Sequence, residues 1–358
     1  MTAATRSFTV PAPALRFAPG LLLAAAVAAG ATAAGHVAWL QSNGLSTLTL
    51  AIVLGIVAGN LLPASALSAC ADGLDLARQR LLRAGIVLYG LRLTFQDIGH
   101  VGLAGIAIDA VVLCSTFGLA CVLGIRVFGL DRGTAILIGA GSSICGAAAV
   151  MATAPVVRGR PDQAAVAIAT VVGFGSVAIF AYPAAFRLLA AFHPLSPTAY
   201  GLWAGSTIHE VAQVVAAGHA IGDAAADTAV VAKMVRVMML APFLLALSAW
   251  FARAGVTRSG VGAAPRARIT IPWFALGFVA VAGLRSLDVL PAPVIGAANA
   301  LDLALLAVAI TALGLTTRLS AMKAAGLAPL GLGAVLFAWL VVGGGAINLG
   351  LGALLGSH

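Results

Sequence analysis

A chain of 358 residues with 61% hydrophobic and 9% charged residues cannot coat a water-soluble fold of its size, because a soluble domain carries about 25% charged residues. With a mean hydropathy of +1.08, lipid is the solvent for most of the chain, which excludes soluble enzymes and soluble binding modules. The formal net charge of +9 lies scattered between apolar runs, with no Lys/Arg block and no stacking aromatics beside one; this is topogenic charge facing cytoplasm and anionic lipid, not a nucleic-acid surface.

A bilayer core takes about 20 apolar residues as helix, and about eleven segments of that kind follow one another. The first, residues 21–40, follows Arg6 and Arg16 and has small residues near Ala33. It reads as a retained span, with a cleaved signal peptide as the alternative. Residues 45–62 come next, then the short segment 81–95, which carries Arg92. Residues 103–123 contain Asp109; residues 134–156 are rich in glycine and serine. Residues 164–189 separate that segment from a second Gly/Ser/Thr-rich one at 199–220. Segments 228–251, 271–287, 294–315 and 327–355 complete the chain. The expected fold is an all-α membrane protein of about 9–11 transmembrane helices, with internal inverted repeats and two broken or re-entrant segments. It forms a single polytopic domain over residues 1–358, with a cytoplasmic tail at 1–20 and a transmembrane region at 21–355.

Basic residues follow the second segment (Arg78, Arg80, Arg83), the fourth (Arg126, Arg132), the eighth (Arg253, Arg258, Arg266, Arg268) and the tenth (Arg318, Lys323). All of these face the cytoplasm if the N-terminus does. Arg158 and Arg160, after the fifth segment, fall outside under simple alternation. Four cysteines (Cys70, Cys114, Cys121, Cys145) lack CxxC spacing and indicate neither a disulfide framework nor a zinc site.

Two self-similarities run through the chain. LYGLRLTFQDIGHVGL (88–103) matches ALGLTTRLSAMKAAGL (312–327) at an offset of 224, pairing Gly90 with Gly314 and Gly102 with Gly326. By the segment count these copies cross in opposite directions, the inverted repeat common in secondary transporters. AGSSICGAAAV (140–150) matches AGSTIHEVAQV (204–214) at an offset of 64. If both copies span the membrane they run parallel. If both are re-entrant hairpins they enter from opposite faces, and Arg158 and Arg160 return to the cytoplasm.

Each copy of the second repeat interrupts an apolar segment with small polar residues. Glycine weakens a helix, serine offers bonds that compete with the backbone ladder, and a broken helix in lipid needs protein, water or ligand for its freed groups. Gly141, Ser142, Ser143, Cys145 and Gly146 are therefore candidate binding residues, with a second half-helix expected to begin near Ile144 and to turn its N-terminal amides toward an anion. The alternative is close helix packing by small residues. The second copy supplies Ser206, Thr207, His209, Glu210 and Gln213. Glu210 is a candidate proton carrier or cation partner and His209 a relay. HEVAQ lacks the second histidine of a helical zinc site, so no protease chemistry follows. Lys233 and Arg236 share one face of the eighth segment and are read as partners of Glu210 or of an anion, with snorkelling toward water as the other reading. Arg92 and Asp302 complete the candidate set. No Walker A loop, dinucleotide fingerprint or GxSxG elbow is present, and no cofactor is expected.

The stretches at residues 81–98, 130–157, 205–218, 223–245 and 314–330 resemble the YeiH-type family of bacterial inner-membrane proteins, to which sulfate export is ascribed. The resemblance implies kinship with cation/proton antiporters and bile-acid-symporter-like transporters, whose helices break and cross at the midplane. It transfers no residue role. The expected function is ion-coupled export or exchange of a small anion such as sulfate or a sulfonate-derived ion, by a multi-pass inner-membrane protein. A cation/proton antiporter using Glu210 and Asp302 is the first alternative, and a membrane enzyme or sensor the second. The expected partners are a small inorganic or organic anion, a coupling proton or sodium ion and the bilayer. Nucleic acid is not among them, and homo-oligomerisation is left open.

Overall fold

The computed structural model describes residues 16–37, 47–190, 195–253 and 273–355. Most of the expected N-terminal tail lies outside these residues, as do Arg258, Arg266 and Arg268. Every regular element among the described residues is helical. In order they are α1 (Ala18–Gly35), α2 (Thr47–Leu61), α3 (Ala64–Leu76), α4 (Leu82–Tyr89), α5 (Phe95–Arg126), α6 (Arg132–Ser143), α7 (Ala147–Val157) and α8 (Pro161–Ala190). The second half contains α9 (Pro197–Thr207), α10 (Val211–His219), α11 (Asp223–Met238), α12 (Leu240–Arg253), α13 (Trp273–Ser286), α14 (Ala292–Thr316), α15 (Leu319–Ala324), α16 (Leu327–Ala338) and α17 (Gly344–Leu355).

Among the described residues six helical stretches are long and apolar enough to cross a membrane: Ala18–Gly35, Ala104–Arg126, Pro161–Ala190, Asp223–Phe251, Ala292–Thr316 and Leu327–Gly352. Three shorter apolar helices, Thr47–Leu61, Ala147–Val157 and Trp273–Ser286, accompany them. The segment expected at 81–95 is the second half of a longer helical run. That run starts at Ala64 and passes through a π turn at Ala77–Leu81 to end in a 3-10 turn at Gly90–Arg92. Its first half carries Ser65, Ser68, Asp72 and Asp75, which hid the helix from a search for apolar runs.

The helices gather into two bundles. One holds α1, α2, α3, α4, α13 and α14, with α2 against α14 as its most extensive pairing. Lipid tails are as apolar as leucine, so helices in a membrane associate by close packing rather than by escape from water. Gly55 and Gly314 are the means here: a Cβ on Gly314 would lie 2.9 Å from the Gly55 Cα, so only hydrogen at both positions allows this approach. The other bundle contains α5 to α12 with α16 and α17. The two meet chiefly where α10 touches α2 and α14, and where α13 touches α5 and α11.

The copies offset by 224 share a local conformation. α5 bends at Gly102 (φ 42°), and α15 gives way to α16 at Gly326 (φ 91°). Both glycines occupy the positive-φ region that other residues avoid. Each copy is thus a short helix, a glycine turn and a long apolar helix.

Candidate functional site

The Gly/Ser segments are broken as their composition predicts, and each folds back on itself. Asp131 caps α6, accepting from the Thr134 amide at 3.0 Å and its hydroxyl at 2.6 Å. The helix stops at Ser143, Ile144 leaves helical geometry (φ −126°, ψ −85°), and Gly146 turns the chain at φ 69°. α7 then runs antiparallel to α6. A Cβ on Gly141 would sit 2.8 Å from Val150 Cγ2, and one on Gly159 would sit 3.0 Å from Leu137 Cδ1. The open end is closed by Gln163, whose Nε2 donates to Asp131 at 2.6 Å. The second half-helix starts at Ala147, three residues later than the sequence suggested, because Ile144 to Gly146 are all spent on the turn.

The second segment repeats the plan. Ser196 caps α9 through the Ala199 amide at 3.1 Å, α9 ends at Thr207, and Ile208 and Glu210 are extended. α10 begins at Val211, with the Gln213 side chain accepting from the Glu210 amide at 3.0 Å. Tyr200 near the start of α9 donates to the Ala217 carbonyl near the end of α10 at 3.0 Å, so this pair is also antiparallel.

α11 fastens the two tips together. Lys233 Nζ donates to the Ile144 carbonyl at 2.7 Å and the Ile208 carbonyl at 2.6 Å, one from each tip. Arg236 donates from Nε to Ser143 O at 2.8 Å, from one terminal nitrogen to Ser142 O at 3.0 Å, and from the other to Ser206 O. Both side chains are fully buried. The last carbonyls of a helix have no partner within it and carry the negative end of its dipole. Two half-helices ending at one place therefore form a nest of acceptors, and buried cations are tolerated only with such partners. Their hydrogen bonds go to backbone carbonyls, and the charge of Lys233 also reaches Glu210.

Glu210 faces the opposite pole. Its Oε1 accepts from the Ala147 amide, the first residue of α7, at 3.2 Å, where the helix dipole is positive. Gly146 sits against it, and a Cβ there would overlap Glu210 Cγ. His209 and Gln213 are buried, and His209 Nδ1 and Gln213 Nε2 have no hydrogen-bond partner. Cys145 is buried with a free thiol. The Ser143 hydroxyl donates to its own helix at Ala140 O (3.4 Å), and those of Ser206 and Thr207 both donate to Trp203 O. Ser142 and Ser143 meet Arg236 through their carbonyls.

Asp109 lies on α5, which packs against the α11 helix that carries Lys233 and Arg236. It is fully buried, neither carboxyl oxygen has a hydrogen-bond partner, and it senses the charges of Arg236 and Lys233. Its one signal in the sequence was a carboxylate inside an apolar run.

Arg92 and Asp302 belong elsewhere. They pair with each other at 3.1 Å within the α4–α14 bundle, and Arg92 lies over the Tyr89 ring at 5.0 Å. Tyr89 in turn donates to Asp227 on α11 at 2.8 Å, a bond between the two bundles. No group of three or more His, Cys, Asp or Glu side chains among the described residues is placed to hold a metal ion.

The family described as conserved hypothetical protein 698 matches residues 19–333. A UPF0324 membrane protein of Pseudomonas aeruginosa is 61% identical over 332 residues, 92% of this chain and 93% of its own length. The UPF0324 inner membrane protein YeiH of Salmonella typhimurium is 53% identical over 339 residues, 95% of each chain. YeiH of Escherichia coli K12 is 53% identical over 332 residues, 93% of each. No solved structure matches.

Proposed function

Because the chain belongs to this UPF0324 family of inner-membrane proteins, we propose that it is a secondary active transporter that exports or exchanges a small anion such as sulfate or a sulfonate-derived ion. The observation that carries the reading is the junction itself: two broken helices meeting tip to tip, fastened by Lys233 and Arg236, with Glu210 on the α7 amide. A static membrane scaffold has no use for buried charge of this density. A transporter uses half-helix ends to hold its cargo.

The antiparallel folding of α6 on α7 and of α9 on α10 favours re-entrant hairpins over broken spans. α8 separates them, and its 30 residues are enough to cross the bilayer. The hairpins then enter from opposite faces, as an inverted arrangement requires. The open end of the first gathers Arg132, Arg158 and Arg160, a cytoplasmic set that also puts the N-terminus inside.

Glu210 is the residue through which coupling acts. Its carboxylate holds the amide end that an arriving anion needs, so loading the anion and protonating Glu210 favour one another. Cation/proton antiport through Glu210 and Asp302 fits less well, since Arg92 already neutralises Asp302. Sulfate flux in proteoliposomes, with and without a proton gradient, tests the reading. The gradient accelerates flux in the native protein, and Glu210→Gln lowers the driven flux by about tenfold or more, the scale of one charge-assisted hydrogen bond. If native vesicles pass no more sulfate or sulfonate than empty ones, the anion reading fails.

A further inference from the structure

Carbonyls at the ends of two half-helices, aimed at one point, are the arrangement in which broken transporter helices hold a coupling metal ion. In this chain the positions are filled by its own side chains. Lys233 Nζ takes the Ile144 and Ile208 carbonyls at 2.7 and 2.6 Å, one from each tip, and Arg236 takes those of Ser142, Ser143 and Ser206. Five acceptors thus each take a hydrogen bond from one of two fully buried cations. Two carboxyls lie near these cations: Glu210, whose Oε1 accepts from the Ala147 amide, and the buried Asp109, neither of whose oxygens has a hydrogen-bond partner; the charge of Arg78 also reaches Glu210. With the carbonyls already occupied by side-chain donors, an entering anion is balanced by a proton on one of the carboxyls rather than by a metal ion.

We propose that Lys233 and Arg236 replace a coupling metal cation, so that the junction binds no sodium and its anion is balanced by a proton. The consequence for coupling rests on the transport reading above. The occupancy of the carbonyl nest does not, and it can be tested without any flux.

The purified protein is assayed for binding of radioactive sodium and for thermal stability in sodium chloride against choline chloride. The native protein shows neither saturable sodium binding nor a sodium-dependent shift. Lys233→Ala, which empties the nest at Ile144 and Ile208, gains a saturable rise in melting temperature with sodium or methylammonium. At a cation concentration about a hundredfold above Kd the rise is about 3 °C. Saturable sodium binding by the native protein overturns the proposal, and so does a folded Lys233→Ala protein that no small cation stabilises. If that variant does not fold, the native arm decides alone. A failure of sulfate flux leaves these results standing, so the two readings fail separately.

Discussion

At the scale of single residues, the junction depends on what arginine offers and lysine does not. The Arg236 guanidinium is a planar fork that meets three carbonyls from two hairpins, whereas an ammonium is a compact point charge on a flexible stem. Arg236→Lys keeps the charge and loses the span. At least one buried carbonyl is left without a donor, which costs about 1–3 kcal/mol and appears as a lower melting temperature of the purified protein. Equal stability of the two proteins would show that the fork geometry is irrelevant. The sequence identified Lys233 and Arg236 by their spacing and their depth in an apolar helix. It could not identify their partners, because backbone carbonyls have no letter in a sequence and become acceptors only where a helix ends. Asp109 is visible in the sequence as a carboxylate in an apolar run, but Lys233 and Arg236 lie more than a hundred residues away along the chain.

At the scale of elements, the broken segments were legible from GAGSS and AGST, since glycine and serine weaken a helix wherever they occur. The direction taken after the break was not. It is set by a few backbone angles, Ile144 at ψ −85° and Gly146 at φ 69° in the first copy. Contacts such as Tyr200 to Ala217 set it in the second. The hairpin geometry places Arg158 beside the Asp131 end of α6, on the side that also carries Arg132. A cysteine at Arg158, in a protein stripped of its four native cysteines, is therefore labelled by an impermeant thiol reagent only in inside-out vesicles. Labelling only from outside intact cells would restore the spanning arrangement. The long helices were legible within a few residues, as expected for apolar runs of bilayer length. The helix at Ala64–Leu76 was not, because Ser65, Ser68, Asp72 and Asp75 break up its apolar residues and only Leu67, Gly73 and Leu74 are buried.

At the scale of the whole molecule, two bundles share a limited boundary, crossed by the hydrogen bond from Tyr89 on α4 to Asp227 on α11 at 2.8 Å and by that from the Phe95 amide on α5 to the Ser286 hydroxyl on α13 at 2.8 Å. Tyr89 is held in place by the cation of Arg92 over its ring, and Arg92 by Asp302. Arg92 and Asp302, two of the candidate site residues, thus lie next to this boundary. A hydrogen bond to a charged group is worth about 1.5–3 kcal/mol, so Tyr89→Phe shifts the balance between docked and separated bundles by about tenfold or more. Spin-label distances between α4 and α11 broaden in the variant if the bond holds the bundles. An unchanged distance distribution removes the bond from that role.

The tips of both hairpins are joined by a helix that comes after them in the chain. Residues 132–219 are made first, and the donors at Lys233 and Arg236 follow. Five carbonyls of α6, α9 and their turns thus have no partner from α11 until it is synthesised and inserted. During biogenesis these hairpins are obligate guests of water, lipid headgroups or the insertion machinery. The insertion of α11 supplies the donors for both tips at once.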